Sequence, residues 1–198
     1  MVDISIRGEL WDDDSADVLR WWGFRDITAP MDIRAALEAA GGDEVTVLVN
    51  SPGGDMTVGA EIRSILRRYQ GKTTALFQGY GASAATLAVS ACSVIQSEPG
   101  ALLCYHNPSG TTDGDYHEMR RSAEALRNAR DCILEMYTAR SGSRSREELI
   151  SLMDKNIWIT PTQAREYGLI DEIVGAAQEP EEEPAAFVAA AGRRIRLT

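Results

Sequence analysis

Residues 44–50, EVTVLVN, are β-branched and almost continuously apolar. A run that short and that apolar predicts a strand buried on both faces, as in a parallel sheet. SPGGD (51–55) breaks it, and Val58, Ile62, Ile65 and Leu66 then recur at helical spacing. A buried strand that enters a helix through a glycine turn needs a second strand laid parallel beside it. KTTALFQG (72–79) is that strand, and a second glycine-rich turn and a short helix of small residues follow it.

The remaining segments repeat the alternation. VDISIRGEL (2–10) reads as a first strand. ITAPMDIRAALEAAGG holds a helix, with Thr28 as N-cap, Pro30 in the first turn and Gly41-Gly42 as the stop. SVIQSE and ALLCYH predict two short strands. Residues 115–140 form the longest helical pattern, with Met119, Ala123, Leu126, Ala129, Ile133, Met136 and Tyr137 on one stripe. Ser145 and Glu148 make a capping box for the next helix, and TPTQAREYG predicts another before LIDEIV. Strands and helices in this order predict an α/β fold, a mostly parallel sheet with flanking helices. Residues 1–175 are expected to form one domain. An acidic and aromatic loop insertion is expected over 11–29, either folded onto the core or meeting another subunit. Residues 176–198, rich in Pro, Glu and Ala, are expected to be a mobile tail.

Composition narrows the function. A net charge of -10 over 198 residues argues against a nucleic-acid partner. The three cysteines match no metal-ligand spacing, so neither a metal nor a cofactor is expected. The chain shows no signal peptide and no apolar run of membrane-spanning length, which predicts a cytoplasmic protein without a membrane partner. Two histidines and two lysines leave few candidates for a general base.

The chemistry concentrates at the two glycine-rich turns. Gly79, Gly81 and Ala84 fit G-x-G-x-x-A, but Glu98 is a loose match to the acid a dinucleotide site wants. No phosphate-binding G-x-x-x-x-G-K-[ST] occurs. The nucleophilic reading fits better. Ser83 opens a helix among glycines and alanines, so a substrate carbonyl can approach the backbone closely. The Ala84 N–H is then free to hold an oxyanion, and Gly53-Gly54 on the neighbouring turn supply a second donor. Serine needs a base. His106 lies at a strand tip, whereas His117 lies in the first turn of a solvated helix, so His106 is the expected base.

Taken together, VNSPGGD, GASAAT, LLCYHNP and WITPTQAREYGLIDEI resemble, in this order, segments of the ClpP family of serine proteases over residues 44–174. GASAAT, MDKNIW and the Glu/Pro-rich tail are most similar to the phage and prophage branch, the head maturation proteases. The resemblance implies a ββα-spiral fold shared with crotonases. It implies a homo-oligomeric ring, stacked or single, in which the long helix joins rings or subunits. It implies endopeptidase action on a protein or peptide substrate such as a capsid or scaffold protein, in the bacterial host cytoplasm or the prohead, with an AAA+ unfoldase as a candidate partner. Ser83 takes the nucleophile position, His106 the base, and Gly54, Gly53 and Ala84 the oxyanion hole. The family's catalytic aspartate falls on Asn156, which can orient an imidazole but supplies no charge. Asp154 is the alternative third member. Three alternatives stand beside this reading: a crotonase-like acyl-thioester enzyme, which needs a carboxylate base; a Ser-Lys peptidase, for which Lys72 and Lys155 are poorly placed; and a catalytically weakened or inactive ring or scaffold component.

Overall fold

The computed structural model describes residues 2–142 and 144–175; the tail expected over 176–198 lies outside them. Strand β1 (Val2–Leu10) buries Ile4, Ile6 and Leu10 and turns Asp3, Ser5 and Arg7 to solvent. Over 11–29 the structure builds helix α1 (Asp13–Trp21) and strand β2 (Ile27–Thr28) where the sequence reading expects a loop. Local caps start this helix, and an ion pair from Arg20 to the more distant Asp32 holds it in place. The Asp12 carboxylate caps the helix at the Ser15 N–H, Asp13 and Asp14 sit in its first turn and Arg20 in its last. Trp21, Trp22 and Phe24 stay exposed at its end.

Helix α2 (Pro30–Ala40) begins one residue later than the sequence suggests, with Ala29 as N-cap. Thr28 is occupied elsewhere. Its hydroxyl donates to the Arg7 carbonyl and accepts from the Arg7 N–H, both at 2.9 Å, in pairing β2 to β1. Strand β3 (Val45–Gly54) buries Val45, Val47 and Val49, while Thr46, Leu48 and Asn50 are only half-buried. The expectation of two equally buried faces therefore gives way to one face packed on helices and a second face partly open. Helix α3 (Met56–Arg68) follows, capped by Asp55. Strand β4 (Thr73–Ala82) leads through Ser83 to helix α4 (Ala84–Val89). Then come β5 (Val94–Ser97), β6 (Leu102–Cys104), the long α5 (Tyr116–Ser141), α6 (Arg146–Lys155), β7 (Trp158–Ile159), α7 (Pro161–Glu166) and β8 (Glu172–Ile173).

The sheet runs β2-β1-β3-β4-β5-β8, and every pairing along it is parallel. Strand β4 serves two partners in succession. Thr74–Phe77 pair with β5, and Tyr80–Ala82 pair with β6. Strand β6 in turn pairs antiparallel with β7. Both glycine-rich segments are consequently strand for longer than their composition suggests. Gly53 and Gly54 pair with Glu9 and Leu10 after a register shift past Gly8, and Gly81 pairs with Ser51 and Leu103. Ladder partners on both sides override the poor strand propensity of glycine.

The core joins Ile33 and Leu37 of α2, Ile62 and Leu66 of α3, and the apolar faces of β1, β3 and β4. Each fully buried side chain of this size contributes about 1.5–3 kcal/mol. Because the strands are parallel, the C-terminal ends of β3, β4 and β6 open on the same edge, the usual ligand edge of such a sheet.

Candidate active site

Ser83 stands where β4 leaves the sheet, with φ 55 and ψ -130. A non-glycine residue there costs on the order of 1–3 kcal/mol and persists only when its surroundings enforce it. Three contacts do so. The Ser83 N–H donates to the Cys104 carbonyl at 2.9 Å, one step beyond the paired residues Ala82 and Cys104. The Ser83 carbonyl accepts from the Thr86 N–H at 3.0 Å and from the Thr86 hydroxyl at 2.7 Å. That hydroxyl has given its proton away, so it accepts from the Tyr137 hydroxyl 2.7 Å off. Burial pushes the Tyr137 hydroxyl well above its ordinary pKa, which keeps it a donor. A line of hydrogen bonds thus ties the Ser83 turn to the C-terminal part of α5.

Gly53 packs directly against this turn. A Cβ there, at φ +94, falls 2.6 Å from the Ala82 carbonyl oxygen, 2.7 Å from Ser83 Cβ and 2.8 Å from Ala84 N. Only glycine fits at that approach. The Gly53 N–H donates to Ser51 Oγ at 3.1 Å, and the Ser51 hydroxyl donates to the Gly8 carbonyl at 2.6 Å. Gly53 therefore shapes the site with its backbone while its own N–H is occupied. Gly54 and Ala84 line the cavity beside Ser83. The Ala84 N–H belongs to the first turn of α4, which has no acceptor within the helix.

His106 lies two residues past the end of β6 and lines the same cavity. Its Nδ1 is 2.6 Å from the Asn107 carbonyl oxygen. A carbonyl only accepts, so this contact puts the proton on Nδ1 and leaves the lone pair on Nε2. The Asn107 side-chain amide donates to Asp154 Oδ1 at 2.8 Å, and Arg130 stands 4.0 Å from the same carboxylate oxygen. Asn156 is the exposed C-cap of α6, at φ 47 and ψ 52. Asparagine is, after glycine, the residue that best tolerates this left-handed conformation. Among the described residues its side chain makes no hydrogen bond, and it does not line the cavity that His106 borders. The structure thus brings together Ser83, His106, Gly53, Gly54 and Ala84. It connects Asp154 to the histidine through Asn107 and leaves Asn156 aside. His117 sits exposed in the first turn of α5, stacked on Tyr116.

The cavity measures about 310 Å³. Ser83, His106 and Gly54 form its polar side, and Met56, Leu87, Leu126 and Ile133 its apolar side. Asp55 also borders it, but Oδ1 is engaged by the N–H and hydroxyl of Thr57, both at 2.6 Å. The Thr57 hydroxyl bond holds this carboxyl below its ordinary pKa. Burial pushes the Cys104 thiol up, which makes it a poor nucleophile beside Ser83. Among the described residues no group of three or more His, Cys, Asp or Glu could hold a metal ion, and no helix is long and apolar enough to cross a membrane. Thr86, Tyr137 and Asn107 were not legible as site residues. Tyr137 reads as one more apolar position on a helical stripe, and the Asn107 contact to His106 is made by its main chain.

Comparison with known proteins shows the family. The family described as Clp protease matches residues 31–177. An ATP-dependent Clp protease proteolytic subunit of Nephroselmis olivacea is 31% identical over 135 residues, covering 67% of this chain and 64% of the relative. The ATP-dependent Clp protease proteolytic subunit 1 of Streptomyces avermitilis is 31% identical over 133 residues, covering 66% of this chain and 61% of its own length. The corresponding subunit of Mesostigma viride is 29% identical over 136 residues, covering 68% and 59% respectively. The chain therefore spans about six-tenths of the length of the curated relatives it matches.

Proposed function

The chain belongs to the Clp protease family, and on that footing we propose that it is a serine endopeptidase acting through an acyl-enzyme. The observation that carries this reading is the enforced conformation of Ser83 in a cavity shared with His106. Ser83 Oγ attacks the scissile carbonyl carbon, and its proton passes to His106 Nε2 as the O–C bond forms. The resulting oxyanion takes hydrogen bonds from the Ala84 and Gly54 N–H groups, and one such donor is worth roughly 10²–10³ in rate. Collapse breaks the C–N bond, and Nε2 returns the proton to the departing amine. Water repeats the cycle on the acyl-enzyme. The apolar side of the cavity suits an apolar side chain next to the scissile bond.

The finer reading is a homo-oligomeric ring that processes phage capsid or scaffold protein. It is supported by the GASAAT and MDKNIW segments and by the long α5, whose first two turns lie exposed. An AAA+ unfoldase feeding the ring, and action in the host cytoplasm or the prohead, belong to the same reading. A fluorophosphonate probe tests the chemistry. Wild type should label, and Ser83→Ala should not; labelling that persists in the variant removes Ser83 from its role. A second reading, a catalytically silent ring component, is favoured by the asparagine at the position of the family's aspartate. It predicts an oligomer that takes no label at all. A crotonase-like reading finds little support, because Asp55, the carboxylate that lines the cavity, is occupied as a helix cap.

A further inference from the structure

Asn156 makes no hydrogen bond to the histidine and does not line its cavity, so something else must hold the imidazole. We infer that His106 is positioned by the Asn107 main-chain carbonyl, and that Asp154 secures this carbonyl through the Asn107 side chain. The inference rests on the peptidase reading. The Asn107 carbonyl oxygen, 2.6 Å from Nδ1, occupies the place a carboxylate holds in a Ser-His-Asp site. A carbonyl dipole fixes the tautomer and the ring plane, and it faces the positive imidazolium with its negative end. It is a main-chain group, so its direction depends on how firmly residue 107 is anchored.

Asp154 provides the anchor. An ionised carboxylate only accepts, so the amide facing it must present Nδ2, as observed at 2.8 Å. That bond joins the loop after β6 to the last turn of α6, elements 47 residues apart. The other amide atom, Oδ1, is buried and has no partner among the described residues. The asparagine thus makes one directed side-chain contact, to Asp154. Asn107 and Asp154 touch no substrate and no reacting atom in this scheme. They are positioning residues: the Nδ1 proton stays on Nδ1 throughout, and only Nε2 exchanges a proton with Ser83 and the leaving amine.

Two measurements test the pair. In steady-state peptidase assays, Asn107→Ala and Asp154→Ala should each lower kcat roughly ten- to a hundredfold with KM little changed, since a small misplacement of a catalytic group costs that much. The double variant should be no slower than the worse single, because both break one contact. Losses that multiply in the double variant, or a kcat untouched by either single, overturn the inference. So does a fall in Asn156→Ala that exceeds both. Independently of turnover, ¹⁵N-histidine spectra of the Ser83→Ala protein should show His106 protonated on Nδ1, with assignment against His117→Gln. Asp154→Ala should shift that signal toward a mixture of tautomers. Protonation on Nε2 in the parent overturns the inference. The Ser83→Ala spectra keep it separate from the peptidase reading, which fails if the wild type takes no label or if Ser83→Ala still labels and turns over.

Discussion

At the scale of single residues, the site is a matter of close approach. Ser83 is held off the common backbone wells, and Gly53 is pressed to within reach of its Cβ. Gly53→Ala must therefore displace either β3 or the Ser83 turn, in addition to adopting a φ that alanine disfavours. We expect the variant to fold with reduced stability and to lose at least a hundredfold in kcat/KM, the worth of one oxyanion donor moved out of place. Thermal unfolding alongside peptidase kinetics separates the two effects, and wild-type turnover would show that the turn has room to spare. The Ser83 environment was readable from GYGASAATLA because only small residues permit such an approach. The role of Asn107 was not, since no property of its side chain announces what its carbonyl does.

At the scale of elements, the short α4 is seated by α3. Gly59, in the middle of α3, passes so close to α4 that a Cβ there falls 2.6 Å from the Ala84 carbonyl oxygen and 3.0 Å from Ala84 Cβ. In an isolated helix Gly→Ala gains about 1 kcal/mol. Here the obstruction is main chain and cannot rotate away, so overpacking of about 1–3 kcal/mol reverses the sign. Gly59→Ala is expected to lower the unfolding midpoint in urea and to weaken probe labelling of Ser83; a stabilised, fully active variant would show that the helices can part freely. The element boundaries that the sequence placed well were those marked by local chemistry. Ser145 with Glu148 caps α6, and Asp55 follows the glycines into α3. The misplaced ones depended on distant partners. Thr28 looks like a cap until β1 claims its hydroxyl, and 11–29 looks like a loop until Arg20 pairs with Asp32 across the α1–α2 contact at 2.5 Å.

At the scale of the whole molecule, α5 is the outlier. Only Ile133, Leu134, Tyr137 and Ser141 of its 26 residues are buried, all in its C-terminal half. Tyr116 and Met119 lie 65% and 44% exposed near its N-terminus, an apolar surface that a second subunit would bury. The oligomer proposed above supplies that cover. Sedimentation velocity should find a species several times the monomer mass, and Met119→Arg should shift it toward smaller assemblies. A monomer at micromolar concentration would remove the ring from the proposed function. Trp21, Trp22 and Phe24 form a second exposed apolar group at the far edge of the sheet, beside β2.

The sequence alone determined the fold class and singled out Ser83 as the proposed nucleophile. Strand periodicity, glycine turns and helix caps are short-range effects, written in residues next to one another, and an arrangement with small neighbours around one serine admits few chemistries. Tertiary structure decided which groups meet. Strand β4 changes partner from β5 to β6 along its length, and that change carries His106 to Ser83. The packing of the last turn of α6 carries Asp154 to Asn107, while Asn156 caps the helix end outside the cavity that His106 lines. Such meetings depend on register and on where a helix ends in space, quantities summed over many residues, so no local pattern records them.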